Sequence, residues 1–119
     1  MARKRPPIRF HFDDPIYECR IFVSIGEPVD QWERRLDKIL CSDKTIASTL
    51  YGRAFLPTET KDCAVWFRET PGGGTAVHEA FHLTCHILTR SGLTLSSSSE
   101  EAWAYHLGWV VRQIAKKAW

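Results

Sequence analysis

The sequence predicts an α+β fold: a small antiparallel or mixed β-sheet packs on an amphipathic helix and is followed by two further helices. Two observations lead to this prediction. The first half of the chain contains segments that alternate apolar and polar residues, which is typical of half-buried strands. The second half repeats its apolar residues every three to four positions, as amphipathic helices do. The predicted order of elements is β-β-α-β-β-α-α.

The first two strands are predicted to form a hairpin. The segment "PIRFHF" places Ile8, Phe10 and Phe12 on one face, and "IYECRIFVSI" alternates again. The residues between them, 13–15, read Asp-Asp-Pro, which is a turn sequence. The hairpin should therefore have one apolar face for a core to pack against.

The apolar period changes between Pro28 and Cys41, which predicts a helix whose first turn contains Pro28. Its buried face should consist of apolar residues spaced four, seven and eight apart, namely Trp32, Leu36, Ile39 and Leu40. Two further strands are predicted, Thr49–Leu56 and Cys63–Phe67, with the turn-rich "PTETKD" between them.

Two helices close the chain in this prediction. Thr75 is the expected N-cap of a helix that ends near Arg90, and Gly92 stands where a C-terminal glycine belongs. The last helix is expected to open at Ser98 and to end near Lys117.

Length and composition predict one domain that spans residues 1–119, with residues 1–6 as a flexible basic tail. The formal charge of +2 is too small to indicate a nucleic-acid partner. No apolar run approaches the roughly 20 residues that span a bilayer, and no secretory signal is visible, so a cytoplasmic location and no membrane partner are expected. The four cysteines form no C-x-x-C pair and are expected to be free thiols.

The helix predicted to follow Thr75 contains "HEAFH", an H-E-x-x-H motif at residues 78–82. Histidines four residues apart lie on one helix face, so His78 and His82 can reach the same metal ion. A glutamate beside the first histidine, here Glu79, can hold a metal-bound water and take its proton. The alternative is a solvent-exposed histidine face without a metal.

A zinc site requires a third ligand from the protein. His86 lies on the same face but one turn too far along, and Cys85 is placed at the flank of the helix. The remaining candidates, Glu100, Glu101 and His106, belong to the last helix. The short "SGLTLSSSS" connection allows that helix to bring its N-terminus to the histidine face. Helical periodicity favours Glu100 over Glu101.

"HEAFH" followed by "EAWAY" resembles the gluzincin type of zincin metallopeptidase, in which a glutamate on the next helix completes the H-E-x-x-H site. The pattern "HE…H…EEAxAY" is also similar to that of small phage proteins of unassigned role. The resemblance covers roughly residues 63–111 and includes the strand before the histidine helix; the first 60 residues carry no matching motif.

The resemblance implies zinc as the cofactor and His78, His82 and Glu101 as its ligands, with Glu79 as general base. A capping box with Ser98 is the competing role for Glu101. Tyr105 stands where the family commonly has an aspartate that supports the first histidine, and it brings no negative charge there.

The resemblance also implies a substrate-binding strand and an electrophilic donor. In zincins the strand before the active-site helix forms the upper edge of the cleft, which here is Cys63–Phe67 if it is an edge strand. Tyr105 and His106 are the catalytic donor candidates, with His86 as a third possibility.

Two functions therefore stand as hypotheses. The first is a zinc-dependent peptidase that acts on an unidentified protein or peptide inside the cell, which would be the host cell if the protein is phage-encoded. The second is an interaction protein that keeps the zincin scaffold with a structural metal or none. The small size favours the second, and retention of Glu79 favours the first.

Overall fold

The computed structural model describes residues 5–40 and 44–119, which form a mixed five-stranded sheet and three helices. The strands are β1 (Ile8–Asp14), β2 (Cys19–Ile25), β3 (Lys44–Ser48), β4 (Gly52–Pro57) and β5 (Cys63–Phe67). The helices are α1 (Val29–Ile39), α2 (Gly73–Arg90) and α3 (Glu100–Ala118). The α+β prediction is confirmed. Cys41 and the first four residues of the expected basic tail lie outside the described residues.

The sheet has the strand order β1-β2-β5-β4-β3, in which only the β2–β5 pair is parallel. It contains one strand more than predicted. The prediction merged β4 with the turn before it and missed β3, an edge strand in which Thr45, Ile46 and Ser48 are exposed. A strand at an edge needs little apolar alternation, so its sequence gives a weak signal.

Cys63–Phe67 is an interior strand, so the edge position that it would need in order to bind an extended substrate is not present. This strand, β5, pairs with β2 on one side and β4 on the other. All five of its side chains are buried. A short strand that is apolar on both faces is typical of a sheet interior covered by helices on both sides. Its main chain is therefore occupied and has no edge to offer a substrate.

Helices cover both faces of the sheet. α1 packs on one face, where its Trp32 and Leu36 meet Phe55, Ala64 and Trp66. On the other face, α2 and α3 bury Leu83, Ile87, Val110 and Ile114 against the sheet. Of the predicted apolar faces, that of α1 and the Phe10 and Phe12 part of the hairpin pack in these two cores, whereas Ile8 is exposed.

A buried carboxylate ties α1 to the sheet. Glu27 accepts hydrogen bonds from Ser24 Oγ (2.7 Å) and from Arg35 Nη2 (2.8 Å), and Arg9 Nη2 lies 3.0 Å from its second oxygen. The carbonyl of Glu27 also accepts a hydrogen bond from Trp66 Nε1 (2.7 Å). Burial raises the pKa of Glu27, but the hydrogen bonds from Arg35 and Ser24 outweigh it and leave the pKa below its usual range.

The ends of α2 and α3 differ slightly from the prediction. α2 begins at Gly73, two residues before the expected cap, and Gly92 has the left-handed φ of 84° expected after a helix. The N-cap of α3 is Ser99, whose side chain makes no capping hydrogen bond, so the capping box of Ser98 is not formed. The Ser99 hydroxyl donates instead to the carbonyl of Thr94 in the preceding loop.

Candidate metal centre

The sheet fixes the orientation of α2. Four apolar residues at helical spacing, Ala76, Ala80, Leu83 and Ile87, are fully buried on the inner side of the helix. His78 is exposed and His82 is half-buried, because both lie away from that side. α2 therefore has a core face and a separate face that carries these two histidines.

The two imidazoles converge. His78 Nε2 and His82 Nε2 are 3.3 Å apart, and the rings meet edge to face. Two nitrogens bound at 2.0–2.1 Å to one tetrahedral ion lie roughly 3.3–3.4 Å apart, so the observed separation fits a shared metal. A hydrogen bond between two neutral imidazoles has a similar length. The distance is therefore compatible with a metal without requiring one.

The carboxylate of Glu79, next to His78 in the sequence, is buried without a hydrogen-bond partner among the described residues. The side chain is fully buried, and within the described part of the chain neither carboxylate oxygen has a hydrogen-bond partner. A buried carboxylate without a partner is costly, because no group in the fold replaces the water that it has lost. Burial raises the pKa of Glu79 to about 7. Burial, and then the neighbouring His78, lower the pKa of His82, which favours the neutral imidazole that binds metals.

One ligand atom from each of His78, Glu79 and His82 lies within 4.8 Å of the other two. Among the described residues, this is the one group of three or more histidine, cysteine or acidic side chains gathered this closely. The arrangement offers two nitrogen donors for an ion and a carboxylate that can exchange a proton beside it.

Glu101, the predicted third ligand, is exposed in the first turn of α3 and does not belong to this group. Helical spacing puts Glu100 on the same face as Trp103 and Glu101 on that of Tyr105. Trp103 is buried against Phe81 of α2, with ring centroids 6.3 Å apart. Helical spacing therefore places Glu100 nearer to the α2 side than Glu101, but Glu100 is also exposed and also outside the group, so neither glutamate is gathered with the two histidines.

The other predicted catalytic residues lie at a different place. Tyr105 is exposed and His106 is buried, and both line a groove of about 380 Å³ between α3 and the β1–β2 turn. His106 Nε2 is 2.7 Å from Asp14 Oδ2, and its Nδ1 is 2.8 Å from Thr84 Oγ1. Both ring nitrogens of His106 therefore have partners. Burial lowers the pKa of His106, against the opposing effect of Asp14.

His86 and Cys85 are also outside the group. His86 is buried, and its Nε2 is 2.7 Å from the carbonyl of Thr60. Cys85 is half-buried, and burial raises the pKa of its thiol. His86 thus holds α2 to the loop before β5.

One residue of the site was missed from the sequence. Gly52, the first residue of β4, lies directly against the side chain of Glu79. The signal that could have found it is the glycine itself, since a glycine in a strand marks a bulge or the close approach of another group.

Comparisons with protein-family models, with curated proteins and with solved structures find no match to this chain. Within the described residues, no helix combines the length and apolar character needed to cross a membrane.

Proposed function

We propose that this protein is a zinc-dependent peptidase of the gluzincin type. The observation that carries the proposal is the combination of two convergent imidazoles with a buried, unpartnered carboxylate in one 4.8 Å group. An exposed histidine face without a metal would account for the pair of imidazoles. It gives no reason for Glu79 to be buried beside them without a hydrogen-bond partner.

His78 and His82 would hold the zinc ion together with one glutamate from the start of α3. The family resemblance favours Glu101 for this third position, and the orientation of α3 favours Glu100. When bound, zinc lowers the pKa of a water molecule and polarises a carbonyl oxygen as a Lewis acid.

Glu79 acts as the proton carrier in this proposal. It accepts a proton from the attacking water as the new C–O bond forms at the peptide carbonyl. It then delivers that proton to the amide nitrogen as the C–N bond breaks. Its burial suits this role, because a carboxylate that none of the described residues neutralises is available to a proton donor in the site.

An interaction protein on the same scaffold is the second candidate, and two observations favour it. The strand expected to hold an extended substrate, β5, lies inside the sheet. His106, one of the expected electrophilic donors, has both ring nitrogens engaged by Asp14 and Thr84. In this alternative a bound metal would be structural.

The test compares wild type with Glu79→Gln, which preserves size but removes the base. We expect one zinc per chain in both proteins. New peptide termini in a cell lysate should form with wild type and fall by about 100- to 10,000-fold with the variant. Glu59→Gln, an exposed glutamate, is the matched control and should cleave like wild type.

Two results would decide against catalysis. One is a wild type that creates no new termini across a broad proteome. The other is a Glu79→Gln variant that cleaves as fast as wild type. Capture of the same partners by wild type and Glu79→Gln, without cleavage, would support the interaction protein instead.

A further inference from the structure

The backbone around Gly52 is held in place on several sides. Its carbonyl accepts a hydrogen bond from the Thr49 amide (2.7 Å), and its own amide donates to Thr49 Oγ1 (3.1 Å). Gly52 is also paired with Phe67 of β5 in the sheet register. The pairing with Phe67 therefore ties the start of β4 to the sheet, and the two Thr49 hydrogen bonds fix the turn that precedes it.

The missing side chain at Gly52 leaves space that Glu79 occupies. A β-carbon at this position would lie 3.0 Å from Glu79 Cγ, 3.4 Å from Glu79 Cδ and 3.3 Å from the carbonyl oxygen of Trp66. Carbon atoms without a bond between them pack best at about 3.5–4.0 Å. Gly52 is not among the glycines with positive φ, which are Gly26 and Gly92, so its backbone conformation is open to other residues. The requirement is one of space.

Glu79 has little freedom to yield. Its neighbours on the helix, Ala76 and Ala80, are small and fully buried, so α2 lies close to the sheet at this point. The Glu79 stem runs between the helix and Gly52, and the carboxylate at its end has no hydrogen bond to orient it. Contact with Gly52 therefore limits the path that the stem can take.

We propose that Gly52 is a positioning residue for Glu79: the space above its α-carbon sets where the carboxylate lies beside His78 and His82. This inference rests on the proposed function for its catalytic meaning. A β-carbon at residue 52 would press on the Glu79 stem, and its three nearest atoms belong to Glu79 and Trp66, not to either histidine. A misplacement on the order of 1 Å can lower a rate by about 100-fold.

A simpler explanation is that Gly52 only makes room for the Trp66 carbonyl. The two explanations predict different results in a double-mutant cycle on the metal-free protein. Gly52→Ala should lower Tm by roughly 5–10 °C in wild type. It should do the same in Glu79→Gln, which keeps Cγ. In Glu79→Ala, which lacks Cγ, the decrease in Tm caused by Gly52→Ala should be less than half of that in wild type.

Equal losses in all three backgrounds would overturn the inference, because Trp66 would then be the obstacle. If Gly52→Ala does not fold alone, restored folding in Gly52→Ala/Glu79→Ala supports it, and an unfolded double variant overturns it. Gly74→Ala is the matched control, because no atom lies within 4 Å of its added β-carbon. It should not lower Tm in any background.

The zinc-loaded protein tests the consequence for catalysis. Gly52→Ala should keep one zinc per chain and an unchanged KM, while kcat falls at least 10-fold; an unchanged kcat would contradict the proposal. If wild type cleaves nothing, the proposed function fails, but the double-mutant cycle still shows whether Gly52 makes room for Glu79 or only for the Trp66 carbonyl. If wild type cleaves but the cycle shows no coupling, the inference fails and the proposed function stands.

Discussion

Removal of either histidine should abolish the stabilisation of this protein by zinc. We expect zinc to bind the folded chain, in which His78 Nε2 and His82 Nε2 lie 3.3 Å apart. A ligand that prefers the folded state raises Tm as its concentration rises above the dissociation constant. His78→Ala and His82→Ala each leave one nitrogen of the pair, so zinc should lose most of its preference for the fold.

The size of the effect follows from the length of the chain. A globular protein gains about 2.1 cal/mol/K of entropy per residue on unfolding, which for 119 residues is roughly 0.25 kcal/mol/K. Free zinc at 100 times its dissociation constant stabilises the fold by about 2.7 kcal/mol. Dividing the two gives a rise in Tm of about 11 °C for wild type, and a rise within about 2 °C of zero is expected for the two variants.

The assay is thermal unfolding of chelator-treated protein, followed by circular dichroism, with and without added zinc. His11→Ala is the matched control, because His11 is exposed on β1 and outside the metal group. It should show the full rise. A wild type whose Tm ignores zinc would refute the metal site. An undiminished rise in both histidine variants would refute the ligands.

Two further predictions concern glutamates. If the face of α3 that meets α2 supplies the third ligand, Glu100→Gln will weaken zinc affinity at least 10-fold more than Glu101→Gln. Equilibrium competition with a chromophoric chelator measures the two affinities. The opposite order would support the family alignment. Glu27→Gln should lower the free energy of unfolding at pH 7 by about 1–3 kcal/mol, because the hydrogen bonds from Arg35 and Ser24 would no longer be made to a charged group. The loss is limited because solvent partly screens the charge of Arg35. Because folding lowers the pKa of Glu27, its contribution is complete above the unfolded value near 4.5 and is lost as pH falls through the folded value. Urea unfolding at pH 7 and pH 3 should show the gap between wild type and variant shrinking at the lower pH, and a constant gap would contradict the assignment.

The helices and most strands could be predicted because their signals are local. The apolar periods of α1, α2 and α3 mark the faces that the fold buries. β3 could not be predicted, since as an edge strand it is mostly exposed and its partner comes from a later part of the chain. The position of β5 depends on which strands pair with it, and its five buried apolar residues fit an interior strand better than the edge strand that a substrate would need.

The residues of the candidate site likewise fall into those that local spacing predicts and those that only tertiary packing brings together. His78, Glu79 and His82 were found because one helical turn brings them together. Gly52 joins them only through tertiary packing, as a strand residue 27 positions before Glu79 in the sequence. His106 was expected near the metal because it follows the second helix motif, yet its partner Asp14 comes from the first hairpin, 92 residues away.

Two buried glutamates, one under each face of the sheet, differ in how the fold satisfies their oxygens. Glu27 and Glu79 are equally hidden from water, but the oxygens of Glu27 are met by Ser24 and two arginines, and those of Glu79 by none of the described residues. A partnered carboxylate can hold α1 to the sheet because its interactions are complete within the fold. An unpartnered one weakens the metal-free fold, because its lost hydration is not replaced. Since that deficit lies beside two convergent imidazoles, a cation with a water molecule at this place would remove it.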